Sequence, residues 1–144
     1  MNKIMTIDGR KISKDILEEI KKEVSMLSFV PVFCDVLVGD DIVSKQYVNL
    51  KRKKAESIGI DFYDASFTST ITTEEVISKI HELNKMENMC GIIVQLPLPG
   101  HLDTRRILDA IDPMLDVDCL GTQASDIFYK GDGGMAFPTA LACM

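Results

Sequence analysis

Three mostly apolar runs, spaced by segments of helical period, constrain this chain more than any other feature. The run 30–38 is nearly all apolar, interrupted by Cys34 and Asp35, and Cys90 to Gln95 holds Gly91-Ile92-Ile93-Val94 at its heart. Asp61 to Phe67 reads as a further strand. Between them lie helices. Ile12, Ile16, Ile20 and Val24 recur every fourth residue within Lys11 to Leu27, and this is helical spacing. The acidic pair Asp40-Asp41 suits the first turn of a second helix that runs to about Ile58 and stops at Gly59. Thr72 or Thr73, followed by Glu74 and Glu75, starts a third helix reaching about Lys85. Apolar strands without alternation are buried on both faces. The pattern therefore predicts an α/β fold: a parallel sheet with helices on both faces, three layers in all. In such sheets ligands bind in a cleft at the strand carboxyl ends. Two segments leave those ends, Val38-Gly39-Asp40-Asp41 and Gln95 to Gly100. The stretch Leu96-Pro97-Leu98-Pro99 must leave the sheet, because proline cannot donate to a strand ladder. Asp103 is placed to cap a short helix through Ala110. Beyond it the sequence suggests only turns, at Gly121 and at Gly131 to Gly134.

A length of 144 residues suits one compact domain, and such a domain buries about two thirds of the surface its unfolded chain exposes. The net charge of -6 speaks against nucleic-acid binding, which wants a basic face. No apolar run approaches the roughly 18 residues of a membrane span. Met1 to Gly9 has no stretch of signal-peptide length, so a cytoplasmic location is expected. The four cysteines, Cys34, Cys90, Cys119 and Cys143, form no CxxC pair, and His81 and His101 have no ligand-spaced partners. Reduced, mostly buried thiols and no metal site are expected.

The second helix carries the most informative local signal. At about 100° per residue, Val43, Tyr47, Val48, Leu50, Ala55 and Ile58 fall on one arc. Lys45, Gln46, Asn49, Arg52, Lys53, Lys54 and Glu56 are assigned to the opposite arc. Lys51 breaks the separation by landing within the apolar arc, and Ser44 lies there too. Ser44, Tyr47 and Lys51 are spaced i, i+3, i+7 and stack along one side. A lysine so placed either snorkels to water or enters a cleft. There an unpaired ammonium tends to lose its charge and becomes suited to acid-base chemistry. Arg52-Lys53-Lys54 reads as a solvated face, with a secondary role in attracting an anionic tail. Gln95, at the end of a buried strand, is placed either for a backbone bond or to meet an amine or a substrate amide. In Asp116-Val117-Asp118 extended backbone would send the carboxylates to opposite faces, so one of them can face a cleft. Cys119 could in principle be nucleophilic, but the sequence sets no histidine near it.

These pieces resemble the methylenetetrahydrofolate dehydrogenase/methenyltetrahydrofolate cyclohydrolase family. The resemblance rests on Ile7-Asp8-Gly9-Arg10-Lys11-Ile12, on Val38-Gly39-Asp40-Asp41 with Ser44-Lys45-Gln46-Tyr47-Val48 and 51–59, on 91–99, and on Pro113-Met114-Leu115-Asp116-Val117-Asp118. It implies that residues 1–144 form the folate-binding catalytic domain. It also implies that Lys51 is the acid-base group of methenyl hydrolysis, that Gln95 bonds the lysine and influences its protonation, and that Tyr47 stacks on the folate. By the same resemblance Asp118 holds the amino edge of the pterin, and Ser44, Leu96 and Pro97 line the cleft.

The activity so implied belongs to one-carbon metabolism: NADP-dependent (or NAD-dependent) oxidation of 5,10-methylenetetrahydrofolate and hydrolysis of 5,10-methenyltetrahydrofolate to 10-formyltetrahydrofolate, which feeds purine biosynthesis. The implied parent is a cytoplasmic homodimer, with folate as its small-molecule partner and neither nucleic acid nor membrane. Its cofactor sits in a second, Rossmann-type domain. No glycine-rich phosphate loop follows a strand here, and Gly131-Asp132-Gly133-Gly134 reads as a turn, so a fragment of a longer protein is expected. The apolar end, Ala140 to Met144, has the look of an interrupted helix. Leu115 and Cys119 stand where the family usually has lysine and glycine. Phe137-Pro138-Thr139-Ala140 only loosely follows the family pattern. Two other readings remain: a folate-binding domain without turnover, and an unrelated enzyme forming a Schiff base on Lys51.

Overall fold

A computed structural model of the chain describes residues 7–130. The turn at Gly131 to Gly134, Cys143, Phe137 to Ala140 and the apolar end from Ala140 lie outside the described residues. The elements run α1 (Gly9–Ser25), β1 (Val32–Val38), α2 (Ile42–Ser57), β2 (Asp61–Phe67), α3 (Thr73–Leu83), β3 (Met89–Val94), α4 (Thr104–Asp109) and α5 (Thr122–Lys130).

The described strands form one sheet in the order β2-β1-β3, and both pairings are parallel. β1 is therefore central, which explains its apolar run. Its side chains alternate between two covered faces. Cys34, Val36 and Val38 join Ile92 and Val94 of β3 and Val76, Ile80 and Leu83 of α3 in the main hydrophobic cluster. Phe33 and Asp35 point to the other face, where α2 packs on β1 and β2. α1 buries none of its residues; Ile12 and Ile16 are each half exposed. Among the described residues no helix is long and apolar enough to cross a membrane.

The helix starts follow capping chemistry. Asp41 caps α2 through Ser44 N, so the acidic pair stands just before the helix, not within its first turn. Thr72 and Glu75 form a reciprocal capping box on α3, and Asp103 caps α4. At Gly39 the chain turns from β1 into α2 with φ +94, a left-handed conformation that costs glycine little.

Several expectations are corrected. β1 starts at Val32 rather than Val30. Pro31 has no N–H to give, and its carbonyl instead accepts from Asp61 N. A fifth helix occupies Thr122–Lys130, where only a turn was expected. Its start is held by two carboxylates distant in sequence: Asp116 accepts from Gly121 N at 2.8 Å, and Asp109 accepts from Thr122 N at 2.7 Å. Cys34 and Cys119 are buried as expected, but Cys90 is exposed. Cys90 lies on β3, the edge strand, on a face no described helix covers.

Candidate active site

The apolar arc of α2 does not all face the sheet. The stripe that packs inward is Ser44, Val48 and Ala55. Val43, Tyr47 and Leu50, which share the apolar arc, are exposed by 72%, 56% and 58%. The reason lies in the sheet. α2 covers β1 and β2, whereas β3 carries no helix on this face, so the Tyr47 side of α2 overhangs open space. The result is a groove of about 490 Å³ between α2 and β3, bordered by Phe33, Tyr47, Leu50, Lys51, Ile93 and Val117; of the other expected site residues, Ser44, Gln95, Leu96, Pro97 and Asp118 are not part of its lining. Lys54 also lines it: seven residues after Tyr47, it lies on the same side of the helix, which corrects its assignment to the opposite arc. Arg52 departs from the expected solvated face too: it ion-pairs with Asp64 and lies 4.9 Å from the centre of the Phe62 ring.

Lys51 points inward from α2, with 17% of its side chain exposed. Its Nζ donates to Gln95 Oε1 at 3.0 Å and lies 5.0 Å from the centre of the Tyr47 ring. Gln95 is held firmly. Its N–H continues the ladder to Val36 O at 2.9 Å, and its Nε2 donates to Leu96 O at 2.8 Å. With Nε2 so engaged, Oε1 is left to face the amine. The peptide from Leu96 to Pro97 is cis. Leu96 packs against the core cluster, and Pro97 is exposed at the rim. Ser44 is buried two turns before Lys51, its N–H held by Asp41.

The amine is not unpaired, as the helix wheel alone suggested. It forms an ion pair with Asp35, in the middle of β1, which is 0% exposed. Among the described residues no donor reaches Asp35 Oδ1. Burial pushes the Asp35 carboxyl above its ordinary 3.8, and the adjacent Lys51 opposes that rise. Asp35 had shown in the sequence only as a break in an apolar run. The available signal was that a carboxylate inside a doubly covered strand requires a cation.

The two acidic residues after β3 have different surroundings, although the backbone at 117–118 is a turn and not the extended chain on which the expected alternation rested. Asp116 is buried, bridged to Ile92, and accepts from Gly121 N. Asp118 is half-buried and within electrostatic reach of Lys51. Burial raises its carboxyl pKa, Lys51 works against that, and Asp116 adds to it. Gly91 permits this approach, since a Cβ there would lie 2.6 Å from Val117 Cγ1. Cys119 keeps a left-handed backbone, φ +53, the conformation in which glycine is usual, so the side chain has not displaced the turn. The Cys34 thiol, pushed up to about 12 mainly by burial, is unsuited to nucleophilic chemistry.

Lys51, Gln95, Tyr47 and, at longer range, Asp118 thus converge beside the end of β3 and the middle of β1, joined by Asp35. The described residues do not fit a dinucleotide. A pyrophosphate favours a helix N-terminus, yet α1, α2 and α4 begin at Asp8, Asp41 and Asp103, and α3 carries Glu74 and Glu75 in its first turn. No group of three or more His, Cys, Asp or Glu placed to hold a metal occurs among them.

Comparison with known proteins gives the family. The family model described as "Tetrahydrofolate dehydrogenase/cyclohydrolase, catalytic domain" matches residues 7–118. The "Bifunctional protein FolD" of Rickettsia bellii is 43% identical over 143 residues, covering 96% of this chain and 50% of that protein. The crystal structure of the bifunctional FolD methylenetetrahydrofolate dehydrogenase/cyclohydrolase from Campylobacter jejuni superposes with a TM-score of 0.87 at 32% identity, covering 91% of this chain and 48% of that one. The Trypanosoma brucei enzyme, solved with NADP and an inhibitor, gives 0.86 at 31% identity, over 95% and 48% of the two chains. The chain therefore spans about half the length of the curated relatives it matches.

Proposed function

Because this chain belongs to the tetrahydrofolate dehydrogenase/cyclohydrolase family, matching its catalytic domain over 7–118, we propose that it binds a reduced folate in the groove beside Lys51 and hydrolyses the methenyl bridge. The carrying observation is the convergence of the Lys51 amine, the Gln95 amide and the Tyr47 ring from two separate elements. The methenyl bridge is an amidinium-like cation, and water must add to its carbon with loss of a proton. Lys51 serves that proton transfer as the neutral amine, its own proton having passed to the paired Asp35 carboxylate, with Gln95 fixing the position of the amine. Tyr47 offers an exposed ring face on which a flat heterocycle stacks. Asp118 takes the N–H edge of the pterin as a charge-assisted acceptor, and Ser44, Leu96 and Pro97 shape the cleft. Holding these groups on α2 and two strand ends sets their geometry before substrate arrives.

In this reading residues 1–144 are the catalytic half of a longer enzyme. Oxidation of the methylene form with NADP, or NAD, belongs to that enzyme and uses a nucleotide domain outside this chain. A cytoplasmic, homodimeric parent supplying one-carbon units to purine synthesis belongs to the same reading and rests on family resemblance.

Incubation with 5,10-methenyltetrahydrofolate tests the proposal. We expect absorbance of the methenyl form to decay faster with folded chain than in buffer. Identical decay, with the fold verified by circular dichroism, would overturn the hydrolytic assignment.

A second expectation concerns Asp118. Its carboxyl titrates above the ordinary 3.8, and the ionised form is the acceptor. Folate affinity should be full above that raised pKa and weaken as pH falls through it. Asp118→Asn should weaken binding at neutral pH by about tenfold and flatten the acid limb. Fluorescence titration across pH checks both, and an unchanged acid limb in the variant would contradict the role.

A further inference from the structure

A buried ion pair is seldom the most stable filling for a strand interior. Apolar residues of similar volume often do as well or better. A carboxylate at the centre of β1, fully buried and opposite Ile93 in the sheet register, therefore calls for a reason other than stability. The charges around it supply one. From α2 come Lys51, Arg52 and Lys54; from β1, Asp35; from β2, Asp64; from the segment after β3, Asp116 and Asp118. Asp64 is taken up by Arg52 and by the Ser66 hydroxyl, and Asp116 is turned to Gly121 N. Asp35 is left for Lys51. Once Asp35 cancels Lys51 and Arg52 cancels Asp64, the unspent charge beside the amine is that of Asp118, opposed by the exposed ammonium of Lys54 on the same groove.

We propose that Asp35 is a positioning and specificity residue of this site: its carboxylate holds the Lys51 amine between the Gln95 amide and the Tyr47 ring and cancels its charge, so that the groove favours a flat organic cation over its neutral counterpart. That the cation is the methenyl folate rests on the function proposed above; the pairing of Asp35 with Lys51 does not. Without the carboxylate, an ammonium would face the incoming cation at close range in a partly desolvated groove, where like-charge repulsion is strong.

Two measurements on the full chain test this. In Asp35→Asn, the KM for methenyltetrahydrofolate should rise about tenfold relative to the inhibition constant of neutral tetrahydrofolate, because only the former carries the positive charge. Equal changes in both constants, or no change in either, would mean Asp35 only supports the fold and would overturn the proposal. The second needs no folate. The carboxyl carbon of Asp35, followed by NMR, should titrate at higher pH in Lys51→Met than in the native chain, because Lys51 lowers it. An unmoved titration would overturn the pairing. If the native chain bound no folate, the function would fail while this second result still decided the pairing; if Lys51→Met did not fold, the Asp35→Asn comparison would decide alone.

Discussion

Replacing Lys51 by methionine is expected to slow methenyl hydrolysis by about 10²- to 10⁴-fold, the usual contribution of a positioned acid-base group. Methionine keeps most of the stem that packs along α2 and removes the amine. Tyr47 and Asp118, the groups assigned to hold the ring system, are untouched. The loss should therefore fall mainly on kcat, because proton transfer is made in the transition state. Gln95 Oε1 loses the donor it now meets at 3.0 Å, but its Nε2 remains anchored to Leu96 O, so the strand end should keep its shape. Stopped-flow absorbance of the methenyl form measures the effect. Turnover within about threefold of native would remove Lys51 from the chemistry, since that corresponds to well under 1 kcal/mol.

The same substitution carries a cost that the sequence did not announce. Asp35 is fully buried, and Lys51 is its cation. Breaking a buried pair from one side typically destabilises by about 3–5 kcal/mol, and Lys51→Met should do so at neutral pH. Its effect should shrink in acid. The Asp35 carboxyl already sits above 3.8 in the folded protein, and losing Lys51 removes a force that lowers it. A raised folded-state pKa contributes stability below 3.8 that is lost as pH rises through the folded value. The variant is therefore penalised above that window and relieved below it. Adding Asp35→Val should recover most of the loss, since valine suits a strand interior and leaves no charge behind. Asp35→Val alone should cost less than Lys51→Met alone, because the lysine is partly exposed and its flexible stem can carry the amine to water. Urea unfolding of the four proteins gives the coupling directly. If the two single effects simply add, Asp35 and Lys51 are energetically independent. The double variant also supplies a control for the kinetics: a folded protein without the amine.

Much of the fold could be read residue by residue. The limits of β2, the Thr72 start of α3 and the Asp103 start of α4 follow from local apolar period and capping chemistry, which act within a few residues. α5 could not be read in this way. Its N-terminus is held by Asp109 and Asp116, thirteen and five residues before their donors, in a fold that must already exist. The wheel correctly made Lys51 an oddity but placed the buried stripe too far toward Tyr47 and Leu50. Periodicity says which residues share a side, and only the position of the sheet says how much of that side it covers.

What the sequence alone determined is therefore local: strands without polar alternation, helices with their caps, a lysine set among apolar neighbours, and motifs specific enough to indicate a family. What only the tertiary structure decided is who meets that lysine. Asp35 and Gln95 lie 16 and 44 positions away along the chain, and their approach depends on parallel register between β1 and β3 and on α2 crossing above them. Packing of the whole sheet sets those quantities, because strand register and helix placement are fixed by burying side chains from distant segments together, and no short window of residues contains that information.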